Sequence, residues 1–419
     1  MNKPKFFYGW YMVASSWIIL FVSGGVAVSI FFKPMLEDFG WDRARLSSVQ
    51  AVALIAFPII APFLGRLIDR FGPKTMILIT VATQSFSRVL NGIAANIWHL
   101  YLARFLLGVR AMPATNVLLN RWFVKKRGTA LGIAATGMSI GTMVLTPISQ
   151  YFILLWGWRP TMLFWAGVTL VIMLPIALSI KNSPEDKGYS PDGELLDRVK
   201  SIEPSPGPED ATSQAKLVVQ KGCSFLEAMR TRSFWFLSAS HTICGIGCGF
   251  MGTHIVIFAT DLGYSDMIGA SLVSVQGGLT LIAVLVTGAL SDKIARKNVL
   301  ALCYLVRSIC FAVIVTFILR GGGSLWLLYA GVALFGFSNP TAPLGAGLSA
   351  DLFGRLRMGT ISGVVSSYHM LGMAIGAYAG GVIFELTQSY YLVFLIEGLL
   401  AFLAIIFAFF IKQEKHYIE

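Results

Sequence analysis

The sequence predicts an all-α membrane protein with 12 transmembrane helices in two pseudo-symmetric six-helix bundles. Three observations predict this fold class: an apolar composition, twelve apolar segments of spanning length, and motifs that repeat between the two halves. Of the 419 residues, 56% are hydrophobic and 13% are charged, and the mean hydropathy is +0.71. Soluble domains rarely have such a composition. A helix of about 20 apolar residues crosses a bilayer core of roughly 30 Å and satisfies its own backbone hydrogen bonds.

The apolar segments follow one another along the whole chain. The first has a basic start, but its apolar run continues to about Phe32 with no cleavage site, which predicts a spanning helix rather than a signal peptide. We number the segments as helices 1 to 12, and they lie near residues 8–32, 46–68, 74–95, 98–121, 127–150, 157–180, 233–260, 266–290, 298–318, 324–350, 358–384 and 388–411.

Lysine and arginine are concentrated in alternate connections between these segments. The basic connections hold, among others, Lys3 and Lys5, Arg66, Arg70 and Lys74, and Lys293, Arg296 and Lys297. By the positive-inside rule, both termini lie in the cytoplasm, and we expect a multi-pass protein of the cell inner (cytoplasmic) membrane. The net charge of +12 is therefore a topology signal, and we expect no nucleic-acid partner.

One long connection divides the helices six and six. Residues 181–232 are mixed in charge and rich in Pro, Ser and Gly, which is typical of a flexible linker and here predicts a cytoplasmic one. We therefore expect an N-terminal bundle over residues 1–180 and a C-terminal bundle over residues 233–419. The stretch "FLEAMRTRSFWF" at the end of the linker could form a short amphipathic helix on the membrane surface.

Two motifs recur between the halves. The stretch "GRLIDRFGPK" (65–74) follows helix 2 and "GALSDKIARK" (288–297) follows helix 8, so that Gly65 and Asp69 match Gly288 and Asp292. The stretches "RGTALGIAATGMSIG" (127–141) and "MGTISGVVSSYHMLG" (358–372) align in the same way. Such symmetry is typical of transporters built from two homologous bundles around a central pathway.

The repeated loops resemble the signature loops of the major facilitator superfamily. The resemblance implies conformational-switch loops, which bind neighbouring helix ends in one conformation and release them in the other, at Gly65, Asp69, Arg70, Gly288, Asp292 and Arg296. Within the superfamily, "FFYGWYMV", "FFKPMLEDFGWDRARLS", "GWRP" and "DLFGRLRMGTISG" resemble the bacterial form of the monocarboxylate-porter and oxalate:formate-antiporter-like group. That group implies a secondary transporter whose bundles rock about a site near the membrane midplane, often moving small carboxylates with protons.

The sequence departs from this group in helix 8. Carriers of the group place an arginine four residues before the glycine of the second loop to bind the carboxylate, but here that position is Val284. No residue between 268 and 290 is charged, and the lysine often found in the outer half of helix 1 is also absent, since Lys33 lies nearer the external mouth. A carboxylate substrate would therefore need another anchor.

Five charged side chains lie in the inner parts of the apolar segments, away from their ends: Arg88, Arg104, Arg110, Arg307 and Glu397. Each costs on the order of 3 kcal/mol near the bilayer centre, so each should line the pathway, pair, or reach the interface. Four cations and one acid favour an anionic substrate over a cationic one.

Arg110, near the middle of helix 4, is the candidate for the missing anchor, because a guanidinium fork matches a carboxylate. Alternatively, it turns toward backbone carbonyls or an acid of its own bundle. Arg104 matches a superfamily pattern and serves helix packing or proton coupling; on a continuous helix it would point about 120° away from Arg110. Arg88 either lines the site or reaches the interface. Arg307 and Glu397, at similar depth, are expected to form a structural ion pair.

Histidine changes charge near physiological pH, so the helical histidines are candidates for carrying a coupled proton, although each could instead be a packed, hydrogen-bonded residue. His369 is best placed, because it lies halfway along a helix that lines the cavity in relatives. His254 lies about two turns before Asp261, where it could influence a gate. The proton candidates are therefore His369, His254, His241 and Arg104, and further substrate-binding candidates are Tyr368, Asn116 and Asn339.

The sequence thus predicts proton-coupled transport of a small organic anion, such as a monocarboxylate, by a monomer with no cofactor or metal. One alternative is a proton-coupled exporter of hydrophobic or cationic compounds, although helix 1 has no acid and Thr142 rather than Pro follows Gly141. The other is a ligand sensor that does not transport. An enzyme is not expected, since the linker has no nucleotide loop, metal cluster or catalytic triad. Five cysteines in helices or on the cytoplasmic side imply no disulfide framework.

Overall fold

The structure is a computed structural model that describes residues 7–124, 126–193, 225–291, 293–353 and 358–412. Short helical turns follow helix 6 at Pro184–Lys187 and Pro191–Gly193, and Phe225–Met229 precedes helix 7. Most of the predicted linker, residues 194–224, lies outside the described residues.

The spanning helices are Gly9–Gly24, Val28–Phe31 and Phe32–Phe39 (helix 1), Arg43–Gly92 (helices 2 and 3), Ile97–Leu106 and Ala111–Trp122 (helix 4), Arg127–Trp156 (helix 5), Trp158–Val168, Thr169–Met173 and Leu174–Ser179 (helix 6), Arg232–Asp261 (helix 7), Asp266–Ser291 (helix 8), Arg296–Leu319 (helix 9), Leu325–Phe337 and Thr341–Phe353 (helix 10), Met358–Thr387 (helix 11) and Tyr391–Phe410 (helix 12).

Among the described residues, ten stretches are long and apolar enough to cross a membrane. The two remaining passes are helices 3 and 10. Helix 3 continues from helix 2 across a kink at Gly72, whose φ of 82° lies in the left-handed region that favours glycine. Helix 10 is broken into two pieces of 13 residues each. The predicted architecture of 12 transmembrane helices is therefore confirmed.

Helices 4 and 10 differ from the continuous segments predicted for them. Each is interrupted near its middle, at residues 107–110 and 338–340. Pro113 and Pro343 each occupy the third position of the second piece. A proline ring clashes with the carbonyl four residues earlier but fits the first turn of a new helix, so it favours a break just before it. Arg104 and Arg110 consequently lie on separate pieces, and the angle expected on a continuous helix does not apply.

Each half of the chain has its own apolar core. The first half packs around Met12, Leu118 and Trp122. The second half packs around Phe234, Tyr304 and Leu348. A third cluster contains residues of both halves, including Phe31, Phe32, Leu46, Phe250 and Phe258.

The polar contacts between the two halves lie at one end of the molecule. We call the end where helix 1 begins and helix 12 finishes the terminal end, and the opposite end, where helix 2 begins, the far end. Every hydrogen bond or ion pair between described residues of the two halves involves Lys33, Arg43 or Ser47, which all lie toward the far end. Gly381 allows helices 2 and 11 to touch there, because an added Cβ would lie 2.8 Å from the Arg43 carbonyl oxygen. The far end is closed in this conformation.

Candidate functional site

The break in helix 4 places Arg110 at the start of a new helix near the middle of the first half. Gly108 lets the break approach helix 2, since a Cβ at this position would lie 2.9 Å from the Ala56 Cβ. Arg110 itself has an extended backbone (φ −100°, ψ 144°) and directly precedes Ala111–Trp122. The amino end of a helix carries a partial positive charge, which adds to the charge of the guanidinium.

The Arg110 side chain has few partners. It is half-buried, and its guanidinium carbon lies 5.1 Å from the centre of the Phe57 ring. Among the described residues, it makes no hydrogen bond or ion pair. The predicted alternative, in which Arg110 turns to carbonyls or to an acid of its own bundle, does not occur in this conformation. A guanidinium with free donors beside an aromatic face can bind a carboxylate through two parallel hydrogen bonds.

Arg307 of helix 9 occupies the corresponding break in helix 10, and all its nitrogens are bonded. Its Nε donates to the Ser338 hydroxyl at 3.0 Å, and one terminal nitrogen donates to the Asn339 side-chain oxygen at 2.9 Å. The other donates to the Cys244 carbonyl at 2.9 Å. Arg307 is 1% exposed. The side-chain nitrogen of Asn339 in turn donates to the Thr280 hydroxyl oxygen at 3.2 Å. These contacts brace the break and leave Arg307 no free donor for a substrate.

The expected partner of Arg307 points elsewhere. Glu397 of helix 12 is 3% exposed, and its carboxylate lies beside Gly247, where an added Cβ would be 3.1 Å from Oε2. Within the described ranges, Glu397 and Arg307 form no ion pair, because the guanidinium is directed toward helices 7 and 10.

Arg88 is also held inside its own half. Its guanidinium donates to the Thr169 hydroxyl and, at 3.2 Å, to the Val22 carbonyl. Thr169 begins the π-helical segment of helix 6, and Arg88 is 9% exposed. The side chain therefore links helices 1, 3 and 6.

Arg104 is a buried cation in the first piece of helix 4. It is 4% exposed, and its Nε makes no hydrogen bond among the described residues. It lines a small cavity with Phe32, Leu46 and Gln50, and the Gln50 side-chain oxygen is likewise unbonded. The cavity has room for roughly one water molecule.

Two of the predicted histidines lie together in the second half. The ring nitrogens of His241 lie 3.1 Å from the Leu237 carbonyl and 3.2 Å from the Thr341 carbonyl. The Nδ1 of His369 lies 3.1 Å from the His241 carbonyl. Tyr368 packs against Trp235, with ring centres 6.3 Å apart. Of the remaining polar candidates in helix 4, Asn116 is half-buried and makes no hydrogen bond with described residues.

The third histidine, His254, belongs to a polar network that crosses the far end. Its Nδ1 lies 3.0 Å from the Tyr390 hydroxyl, and its Nε2 lies 2.9 Å from the Ala377 carbonyl. Arg43 donates to the same Tyr390 hydroxyl at 3.0 Å and to both carboxylate oxygens of Asp261, at 2.5 and 2.8 Å. We call Arg43, Ser47, His254, Asp261, Glu385 and Tyr390 the far-end latch.

Sequence reasoning did not find Arg43 and Tyr390. They lie at the starts of helices 2 and 12, and only tertiary packing brings them beside His254. The sole signal was the spacing of His254 and Asp261 on one helix face.

The repeated loops lie at the terminal end. Gly65 and Gly288 stand in open space, with no heavy atom within 4 Å of an added Cβ. Arg70 is exposed, and Arg296 forms an ion pair with Asp351 near the end of helix 10. The Asp69 side chain and residue Asp292 are outside what the structure describes.

Comparison with known proteins agrees with this architecture. Monocarboxylate transporter 12 of Rattus norvegicus is 24% identical over 436 residues, which cover 99% of this chain and 87% of the relative. Monocarboxylate transporter 4 of Gallus gallus is 24% identical over 411 residues, covering 95% and 81%. The crystal structure of a D-xylose-proton symporter superposes with a TM-score of 0.74 at 15% identity, covering 98% of both chains, and shows the fold alone.

A sequence model of the Major Facilitator Superfamily matches residues 12–279 and 237–419. These matches together span nearly the whole chain, including both halves and their repeated loops. The chain belongs to the Major Facilitator Superfamily, and is therefore a membrane transporter by family.

Proposed function

We propose that this transporter carries a small organic anion, such as a monocarboxylate, together with protons, by alternating access. It acts as a monomer in the bacterial inner membrane, with both termini and the linker in the cytoplasm. The observation that carries the proposal is the guanidinium of Arg110, which is half-buried at the break in helix 4 and has no hydrogen-bond or acidic partner among the described residues.

A half-buried cation needs compensation that the described protein groups do not give it. An anion that binds beside Arg110 would neutralise its charge. Two parallel N–H···O bonds in a water-poor site are stronger than the same bonds in water. The helix that starts at Ala111 adds its positive end to the same place. Arg110 would then take the role that the arginine of helix 8 plays in the carboxylate carriers that the sequence resembles, where this chain has Val284. The monocarboxylate transporters among the relatives support a carboxylate as the anion.

The distribution of contacts between the halves supports alternating access. With both termini in the cytoplasm, the closed far end would face outward, and a substrate would reach Arg110 from the cell interior. Transport requires that the contacts of Lys33, Arg43 and Ser47 break and that contacts form at the terminal end. Gly65 and Gly288 of the conformational-switch loops stand in open space, and these loops are placed to form such contacts.

Reconstitution of the purified protein in liposomes tests the proposal. Radiolabelled formate, acetate, lactate, pyruvate and oxalate are supplied outside, with and without an inward proton gradient. We expect at least one acid to accumulate faster with the gradient, and Arg110→Ala to lower its initial rate at least about tenfold, as expected for the loss of a charged bidentate contact. Arg320→Ala removes the same charge from an exposed position and serves as the matched control.

Two outcomes would contradict the proposal. One is that no organic anion moves. The other is that Arg110→Ala transports as fast as wild type. Movement of lipophilic cations independent of Arg110 would support the exporter alternative, and thermal stabilisation by an acid without any flux would support the sensor.

A further inference from the structure

The far-end latch ties the two halves together through a histidine that is completely buried. His254 is 0% exposed, and its ring packs against Phe32 of the first half, with ring centres 5.3 Å apart. The Ser47 hydroxyl, also from the first half, lies 3.3 Å from the His254 Nε2. A Cβ at Gly380 would lie 3.0 Å from the same nitrogen, so helix 11 also closes over the ring. Separation of the halves at this end must uncover His254.

The hydrogen bonds of the latch form a consistent chain when His254 is neutral. The Nε2–H donates to the Ala377 carbonyl, and Nδ1 accepts the hydroxyl proton of Tyr390. The Tyr390 oxygen in turn accepts a hydrogen from Arg43. A tyrosine hydroxyl ordinarily keeps its proton up to about pH 10, so Tyr390 remains a donor here. Each donor in the chain then has one acceptor.

A proton on His254 disrupts the chain. Nδ1 becomes a donor and faces the Tyr390 hydroxyl, whose own hydrogen then has no other acceptor among the described residues. A buried donor left without an acceptor costs about 1–3 kcal/mol. The imidazolium would also place a second positive charge two hydrogen bonds away from Arg43, through the Tyr390 hydroxyl.

The other charged groups of the latch do not compensate that charge. Asp261 of helix 7 is engaged by the Arg43 guanidinium through both oxygens, and Glu385 of helix 11 accepts the Arg43 backbone N–H at 2.8 Å. From helix 1, Lys33 pairs with Asp266 at 2.9 Å. Phe32 and Phe250, which also pack on the His254 ring, are apolar.

We propose that His254 makes closure of the far end proton-linked: the latch closes on neutral His254, and a proton on His254 favours the open far end. Tyr390 and Arg43 act as positioning residues that transmit the charge state of the imidazole to the contact between the halves. This inference rests on the proposed function, because it assigns the coupled proton of that function to a gate rather than to the Arg110 site.

A distance measurement between the halves tests the inference without any substrate. Spin labels are attached to keto-bearing residues introduced at Ile93 and Leu386, which are 59% and 79% exposed and lie at far-end helix termini of opposite halves. Labels of this kind leave the native cysteines in place. Electron–electron resonance distances are recorded in nanodiscs between about pH 8 and pH 5.5, the range in which histidine changes charge.

We expect the population with a widened far end to rise several-fold as the pH falls. His254→Gln and His254→Asn should each abolish that rise, and His241→Gln, on the same helix but outside the latch, should leave it intact. Asp261→Asn should widen the far end at every pH. Because both His254→Gln and His254→Asn remove the titrating group, either variant can test the inference if the other fails to fold.

The inference would be overturned if the wild-type distances did not change with pH, or if the His254 variants retained the wild-type response. Failure of the proposed function is a separate result. If the distances respond to pH through His254 but no organic anion moves in liposomes, the proton-linked closure is supported and the proposed substrate class is contradicted.

Discussion

The breaks in helices 4 and 10 have the same local cause and opposite electrostatic outcomes. Each is followed by a proline at the third position of the next piece, and each has an arginine beside it. At helix 10, Arg307 is 1% exposed and bonded through every nitrogen to helices 7 and 10. At helix 4, Arg110 is half-buried, its guanidinium carbon lies 5.1 Å from the Phe57 ring centre, and it makes no hydrogen bond or ion pair with a described residue.

This difference teaches how to separate structural from functional cations in a membrane protein. Both arginines have similar intrinsic cost in an apolar environment, and both lie at backbone breaks. Arg307, whose nitrogens are all hydrogen-bonded, stabilises the fold, because its removal would leave its acceptors without these donors. Arg110, whose donors are free among the described residues, is available to a ligand. The predictions below test that contrast, from the largest expected effect to the smallest.

Arg307→Ala should destabilise the protein strongly. Its removal takes charged donors from the Cys244 carbonyl, the Ser338 oxygen and the Asn339 amide oxygen, and we expect the free energy of unfolding to fall by about 3 kcal/mol or more. Thermal unfolding of the purified protein measures the effect, with Arg320→Ala as the exposed control. A melting temperature equal to that of wild type would show that the helix 10 break does not depend on Arg307.

Arg110→Ala should lower the transport rate but leave the stability nearly unchanged. Because Arg110 has no hydrogen bond to a described residue to lose, the melting temperature should stay close to that of wild type, while the transport rate falls at least about tenfold. Arg110→Lys should recover only part of the rate, because an ammonium cannot form the two parallel bonds of a guanidinium. A large drop in stability with an unchanged rate would give Arg110 the same structural role as Arg307.

Pro113→Ala should affect transport less than removal of the guanidinium. The substitution restores an N–H and removes the clash with the carbonyl of residue 109, so that helix 4 can continue through the break and turn Arg110 away from its present direction. We expect a several-fold lower transport rate with stability retained, measured on the same liposomes. Pro343→Ala is the matched variant in helix 10, and there we expect stability to fall, because the Arg307 contacts depend on that break.

Gly108→Ala should have the smallest effect. The added Cβ would lie 2.9 Å from the Ala56 Cβ, so helices 2 and 4 must separate slightly, and overpacking of this kind costs about 1–3 kcal/mol. Gly132→Ala is the control, because no heavy atom lies within 4 Å of its added Cβ. Equal melting temperatures for the two variants would contradict the close approach at the helix 4 break.

The fold was predictable because the bilayer constrains it so strongly. Apolar segments of spanning length and the repeated loops were enough to predict 12 helices in two bundles. The breaks were not predicted, although Pro113 and Pro343 were visible, because proline also occurs inside intact membrane helices, as Pro147 does in helix 5.

The site was predictable only in part. The sequence singled out Arg110 by its charge and by the missing arginine at Val284, but it could not show whether a partner was present. Similar depth suggested an Arg307–Glu397 pair, yet depth says nothing about the direction around the helix axis, and the guanidinium turns to helices 7 and 10. Arg43 and Tyr390 join the latch through tertiary packing alone.

Equilibrium binding tests the central claim most directly. A radiolabelled carboxylate that the protein transports is titrated onto purified wild type, Arg110→Gln and Arg320→Gln in detergent. The unpaired guanidinium of Arg110 predicts saturable binding to wild type and Arg320→Gln, and at least about tenfold weaker binding to Arg110→Gln at an unchanged melting temperature. Equal affinity in all three proteins would contradict the assignment of Arg110 as the anion anchor.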